Sequence, residues 1–217
     1  MSNRYDAIII GTGIIGGAIG LELARRGSKT LNVDKLPAAG YGSTSNTCAI
    51  IRFHYSTAEG IAMARESYYY WIDWPKHIGA PDESGMAYYI NTGCMVVKNE
   101  ENHFLEHVLP HLNDLKVVYK DLGPGELKSL LPFIDTRQFG PPVLPGDPRF
   151  GQPTGDAIAG AVYIPESGFI NDPQLACHNQ QRGCEARGGK CLFNAEVVEI
   201  LTENGRATGI KLADGTE

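Results

Sequence analysis

Gly11-Thr12-Gly13-Ile14-Ile15-Gly16 sets three glycines at the spacing G-x-G-x-x-G, and Asp34 follows 23 residues after the first. Gly11 permits a tight turn, Gly13 lets backbone approach a pyrophosphate, and Gly16 lets helix and strand pack closely. The phosphates then meet the positive end of a helix and its free N–H groups. A carboxylate at Asp34 can accept hydrogen bonds from adenosine ribose hydroxyls. It also disfavours a 2′-phosphate, because like charges would meet at close range. The bland alternative is a glycine-rich turn without ligand and an acid that only caps local backbone. The motif alone does not separate NAD from FAD.

The elements that must position these residues are legible around them. Tyr5–Ile10 is an apolar run of the kind found in a buried parallel strand, and Ile14–Arg26 is a helix closed by Gly27. Thr30–Asp34 reads as a second strand, and Gly40–Asn46 as a small polar loop able to lie against a ligand. Cys48–Phe53 reads as the start of a short helix and Glu59–Trp74 as a longer one.

From Met86 the pattern changes. Ala87–Ile90 and Gly93–Val97 read as strands joined at Asn91-Thr92, followed by a polar helix at Glu100–Leu112, a strand at Lys116–Tyr119 and a helix at Gly125–Leu131. Asp135–Asp156 is rich in Pro and Gly, without periodicity, and reads as a long surface loop. Order returns with a strand at Ala161–Ile164, a helix at Pro173–Arg187 and a strand at Lys190–Phe193. Glu196–Leu201 and Ala207–Leu212 flank Asn204-Gly205, a strong two-residue hairpin signal. Asp214-Gly215 announces another turn with only two residues after it, so the chain reads as the front part of a longer protein.

Composition narrows the function classes. The net charge of −6, with no dense Lys/Arg run, argues against a nucleic-acid surface. Asp6 precedes the apolar stretch 7–21 and a charged helix follows it, the reverse of a secretory signal. No stretch suggests a membrane span. The 5 cysteines are odd in number and widely spaced without C-x-x-C, which reads as reduced thiols in a cytoplasmic protein.

The stretch Gly42-Ser43-Thr44-Ser45-Asn46-Thr47-Cys48-Ala49-Ile50-Ile51-Arg52 resembles the D-amino acid oxidase/sarcosine oxidase family of flavoproteins, which includes glycine oxidase and dimethylglycine dehydrogenase. Further stretches keep the family's order: Ala62–Ser67, Asn91–Met95, Gly160–Pro165, Gly168–Pro173 and Val197, whose position usually meets the adenine through its backbone. The resemblance spans nearly the whole chain and is poorest over Asp135–Asp156. It implies an α/β fold: a Rossmann-type FAD-binding domain with an inserted α+β substrate lobe, truncated at the C-terminus. The expected domains are 1–85 and 157–217 for FAD and 86–156 for the substrate-lobe segment and its loop.

The resemblance further implies FAD-dependent oxidation of the C–N bond of an amino acid or N-methylated amine by hydride transfer to flavin, with O2 or an electron-transfer partner as acceptor. The fragment alone is expected to be inactive. Its cofactor-binding set is Gly11, Gly13, Ile14, Ile15, Gly16, Asp34, Lys35, Ser43, Thr44, Ser45, Asn46, Thr47 and Val197. Arg52 matches the position that often binds the substrate carboxylate, for which a bidentate, always-charged partner is suited. His54 could line the flavin cavity and accept a proton. Two departures stand out: Asn46 replaces a histidine that some relatives bond to the flavin, so attachment there is excluded, and Ala49 replaces a second arginine. The alternatives are a flavin-dependent 2-hydroxy-acid oxidoreductase and a non-catalytic FAD-binding subunit.

Three other patterns read as structural. His103, His107 and His111 share a helix face, but Pro110 intervenes and no further ligand completes a metal set. Tyr68, Tyr69, Tyr70, Trp71 and Trp74 read as core and rim rather than a stacking platform. Cys177 and Cys184, two helical turns apart, read as core rather than a disulfide.

Overall fold

The computed structural model describes residues 4–98, 103–155 and 157–217. The first half of the chain forms β1 (Ala7–Ile10), α1 (Ile14–Arg25), β2 (Thr30–Val33), a 3-10 turn (Ser43–Asn46), β3 (Ile50–Ile51), α2 (Ala58–Trp71), α3 (Trp74–Ile78), β4 (Tyr89–Asn91) and β5 (Cys94–Lys98). Then come α4 (Phe104–Asp114), β6 (Lys120–Leu122), α5 (Pro124–Leu130), β7 (Gly160–Ile164), β8 (Gly168–Ile170), α6 (Pro173–Glu185), β9 (Lys190–Leu192), β10 (Val197–Glu203) and β11 (Arg206–Leu212). No helix among the described residues is long and apolar enough to cross a membrane.

The chain divides into two compact units. One comprises Met1–Ile50, Tyr69–Ile90 and Phe169–Glu217, the other Ile51–Tyr68 and Asn91–Gly168. These cuts fall elsewhere than the expected domain bounds at 85 and 156, and they place most of α2 with the second unit.

The first unit is built on a parallel sheet in the order β1-β2-β9, with Ala7 opposite Thr30 and Leu31 opposite Lys190. Helix α1 packs against β2 and α6 at unusually short range. A Cβ on Gly17 would lie 2.5 Å from Gln180 Oε1, and one on Gly20 would lie 2.2 Å from Asn32 Oδ1. Both amide oxygens are buried without a conventional donor among the described residues. Each instead lies where the missing methyl would project, along a glycine Cα–H, which is a weak donor. Asn32 also ties strand to helix by donating Nδ2–H to the Gly16 carbonyl at 2.8 Å. The hairpin β10-β11 turns at Asn204 (φ 50°) and Gly205 (φ 76°), the two positive values that a tight hairpin requires. Its Leu212 packs with Val33 and Ala195, flanked by Val197, Ile8 and Leu31.

A buried amide staples the rest of this unit. Asn179 Oδ1 accepts from Trp74 Nε1 at 3.0 Å and from the Ala87 N–H at 2.9 Å, while Nδ2 donates to Asp82 Oδ2 at 2.6 Å and the Gly85 carbonyl at 2.9 Å.

The second unit carries an antiparallel sheet in the order β5-β7-β6. Helix α4 buries Leu105, Val108 and Leu112, one stripe at helical spacing, against Phe53, Ile61, Val162 and Ile164. Burying each such side chain stabilises by about 1.5–3 kcal/mol, so this cluster holds the unit together. A smaller cluster of Leu127, Ile158 and Ala161 seats α5.

Several expectations are corrected. Cys48–Phe53 is not a helix: Ala49 adopts φ 51° and the β-branched pair Ile50–Ile51 runs as strand β3. The helix expected over Glu59–Trp74 breaks after Trp71, because Pro75 lacks an N–H and starts α3 instead. The strand expected at Lys116–Tyr119 begins at Lys120, since Lys116 (φ 54°) closes α4 in a left-handed conformation. The strands expected at Ala87–Ile90 and Gly93–Val97 lie slightly later, as β4 and β5, and β5 pairs with β7. Helix α4 runs through Pro110, and the expected helix start at Glu100, like Asp156, lies outside the described residues. All 5 cysteines are free, with Cys177 and Cys184 buried.

Candidate functional site

Strand β1 ends at Ile10 and the chain turns at Gly11, whose φ of 105° is open to glycine alone. A Cβ on Gly16 would sit 2.1 Å from the Gly11 carbonyl oxygen, so turn and helix touch through backbone. Helix α1 starts at Ile14 with Gly13 as N-cap, and it has no side-chain cap from that residue and no acidic residue in its first turn. Its dipole thereby favours an anion at this end. Ile15 is exposed beside it.

The 3-10 turn closes on this helix end. The buried Thr44 hydroxyl accepts from the Ile14 N–H at 3.2 Å, and a Cβ on Gly13 would lie 3.1 Å from Thr44 Oγ1. The Ser45 hydroxyl and the Asn46 amide both donate to the Gly42 carbonyl, at 2.9 and 3.2 Å. Thr47 Oγ1 accepts from the Ala49 N–H at 3.1 Å. Ser43, Ser45, Asn46 and Thr47 are exposed.

Asp34 follows β2 and already has partners within the chain. Oδ2 accepts from the Thr12 N–H at 2.7 Å and the Thr12 hydroxyl at 2.8 Å, and Oδ1 accepts from the Leu36 N–H at 2.9 Å. A carboxylate offers about four acceptor sites, so room remains for a further hydroxyl. Burial alone would raise its pKa. The Leu36 and Thr12 hydrogen bonds and the Lys35 charge outweigh burial and hold the carboxyl below its usual value. Thr12, the first variable residue of the motif, was not singled out by the sequence, although its hydroxyl fixes the acid. Ala195 N–H donates to the Asp34 carbonyl at 3.0 Å, which places Val197 two residues beyond this junction, at the head of β10.

Because the folded-state pKa of Asp34 is lowered, its contribution to stability is present above the unfolded carboxylate value and is lost as pH falls through the folded value. We expect thermal melts between about pH 2 and 5 to show that fall, and Asp34→Asn to flatten it. An unchanged profile in the variant would remove Asp34 from the acid response.

In the second unit, Arg52 and His54 lie side by side. Arg52 Nη1 is 3.4 Å from His54 Nε2, and the guanidinium stands 5.1 Å from the Tyr55 ring centroid. Among the described residues no carboxylate pairs with Arg52. Burial and then the Arg52 charge push the His54 pKa down to about 4.

The remaining chemical clusters have structural partners. Asp82, Glu83 and His178 bring ligand-type atoms within 4.8 Å of one another. Asp82 Oδ2, however, already accepts from His178 Nδ1 and Asn179 Nδ2, and Glu83 is paired with Arg182. His103 pairs with Glu106 at 2.9 Å. Tyr68 packs edge-on to Phe53, and Trp71 stacks on Trp74 with centroids 4.2 Å apart.

Relatives share this arrangement of elements. The chain is 27% identical to monomeric sarcosine oxidase from Bacillus sp. (strain B-0618) over 98% of its length and 51% of that protein. It is 25% identical to glycine oxidase from Geobacillus kaustophilus, over 94% of this chain and 50% of that one. The crystal structure of L-proline dehydrogenase from P. horikoshii superposes with a TM-score of 0.76 at 23% identity, covering 99% of this chain and 50% of that one, which shows a common fold. The chain thus spans about half the length of the curated relatives it matches. Residues 6–217 match the family described as DAO, FAD dependent oxidoreductase. With the glycine turn, the tethered acid and this full-length match together, the chain belongs to the FAD-dependent oxidoreductases of that family.

Proposed function

We propose that this chain is the FAD-holding front of an enzyme that oxidises the C–N bond of an amino acid or N-methylated amine of the sarcosine, dimethylglycine or glycine type. The observation that carries this is the cradle at α1: a helix start on Gly13 with no acid in its first turn, a glycine-only turn at Gly11, and a carboxylate held ready at Asp34. That donor set fits a dinucleotide with free ribose hydroxyls, as in FAD. Gly11, Gly13, Ile14, Ile15 and Gly16 would face the pyrophosphate, and Asp34 with Lys35 beside it the ribose. Ser43, Thr44, Ser45, Asn46 and Thr47 would line the flavin side, and the Val197 backbone the adenine. Bound FAD supplies a two-electron acceptor for the carbon beside nitrogen. Asn46 offers an amide that forms no covalent bond to flavin, so FAD is held non-covalently at this position.

Arg52 supplies the other half of the reading. Its guanidinium has no carboxylate of its own among the described residues and is suited to bind one on a substrate. O2 or an electron-transfer partner would reoxidise the cofactor. Free thiols suit a cytoplasmic setting.

The full-length protein is expected to purify yellow, to release its flavin on acid precipitation, and to bleach anaerobically with sarcosine, dimethylglycine or proline but not with 2-hydroxyglutarate. Bleaching by the hydroxy acid alone would overturn the amine assignment. A colourless protein with no FAD-induced thermal shift would overturn the cofactor.

A further inference from the structure

We propose that His54 is a positioning residue: its Nε2 accepts from the Arg52 guanidinium and fixes that group's orientation for a substrate carboxylate. This rests on the reading of Arg52 given above. The geometry is local to the second unit. His54 is only 8% exposed, and its ring stands edge-on to Phe104 with centroids 6.4 Å apart, so it has a packed wall behind it. Arg52 is exposed, with His54 Nε2 at 3.4 Å from Nη1 and the face of Tyr55 at 5.1 Å. The guanidinium is therefore held by two neighbours, neither of which neutralises its charge.

The proton bookkeeping on His54 points the same way. A guanidinium only donates, so Nε2 must carry the lone pair and Nδ1 the proton. Among the described residues Nδ1 is buried with no hydrogen-bond partner. The contact with Arg52 is the one hydrogen bond the ring makes among the described residues, so it alone anchors the ring's polar edge. Protonation would turn Nε2 into a donor facing a cation. Burial and the neighbouring Arg52 keep the ring neutral, with a pKa of about 4. Beside this pair stand the Tyr55 ring, the uncharged Phe104 ring and the Cys94 thiol, the last shifted upward by burial against the opposing charge of Arg52. A neutral ring locked toward Arg52 is suited to aim it, and poorly placed to take a proton from anything else.

Acetate serves as the carboxylate probe, titrated by its perturbation of flavin absorbance in full-length holoenzyme. His54→Leu is expected to weaken acetate about tenfold. His54→Gln, whose amide oxygen can still accept, should stay within about threefold of the wild type, and Arg52→Met should lose binding. If the wild type does not bind acetate, or Arg52→Met binds it as well as the wild type, the carboxylate role of Arg52 falls and this inference with it. If Arg52→Met loses acetate while His54→Leu stays within about twofold, or if Gln and Leu weaken it equally, the positioning role is overturned and the reading of Arg52 stands. Should His54→Leu fail to retain FAD, His54→Phe, which also lacks an acceptor, is read in its place.

Discussion

Gly16→Ala is expected to give a colourless full-length protein. The added methyl would sit 2.1 Å from the Gly11 carbonyl oxygen and 2.9 Å from its carbon, and both are backbone atoms that cannot rotate aside. Gly11 cannot yield either, because its φ of 105° is already a conformation reserved for glycine. Relief requires α1 to move off the turn, which also breaks the Asn32 bond to the Gly16 carbonyl. Overpacking a well-fitted contact costs about 1–3 kcal/mol, and a backbone clash of this depth belongs at or beyond the upper end. FAD affinity should fall by roughly 100-fold or more. Gly209→Ala, outside the cofactor-binding set, is the internal control: its methyl would meet Leu201 Cδ1 at 3.6 Å, an ordinary van der Waals distance. Flavin content and the thermal shift with added FAD separate the two. A Gly16→Ala protein that carries a full complement of FAD would refute the backbone-contact account.

Asn179→Leu is the second large effect, on stability rather than cofactor. Asn179 is fully buried and uses all of its hydrogen-bonding capacity on Trp74, Ala87, Asp82 and Gly85. Leucine fills a similar volume and removes every one of these partners. The Trp74 and Ala87 N–H groups and the Gly85 carbonyl are then left unpaired, at about 1–3 kcal/mol each. We expect a loss of about 4 kcal/mol or more, well beyond the ordinary point mutant. Urea denaturation of the full-length protein, compared with the exposed-site variant Gln152→Leu, measures this. A loss below about 1 kcal/mol for Asn179→Leu would show that the amide is not a staple.

Much of the cradle was legible because its logic is local. Three glycines, a helix and an acid at fixed offsets need no distant partner to be recognised. The hairpin at Asn204-Gly205 was legible for the same reason, since two positive φ values are demanded by two adjacent residues. The misreadings fall where distant residues or a single dihedral decide. Ile50–Ile51 becomes a strand because Ala49 turns left-handed and its carbonyl accepts from the Ile170 N–H at 3.1 Å, a partner over a hundred residues away. Asn32, Asn179 and Gln180 read as ordinary polar residues, and only the fold shows them buried against glycines or backbone. Arg52 and His54 were found through resemblance, but their mutual contact, and the unpartnered nitrogen behind it, had no signature in the sequence.

The interleaving of the two units bears on how the protein is made. The glycine turn emerges early in synthesis, yet β2 waits for β9 and the Gly17 face of α1 waits for Gln180. In between, the chain crosses into the second unit twice and returns twice. The nucleotide cradle is thus begun at β1 and completed only with α6 and β9, after a long loop has closed. During that interval the apolar faces of β1, α1 and β2 stay uncovered on the nascent chain, the kind of surface that chaperones recognise.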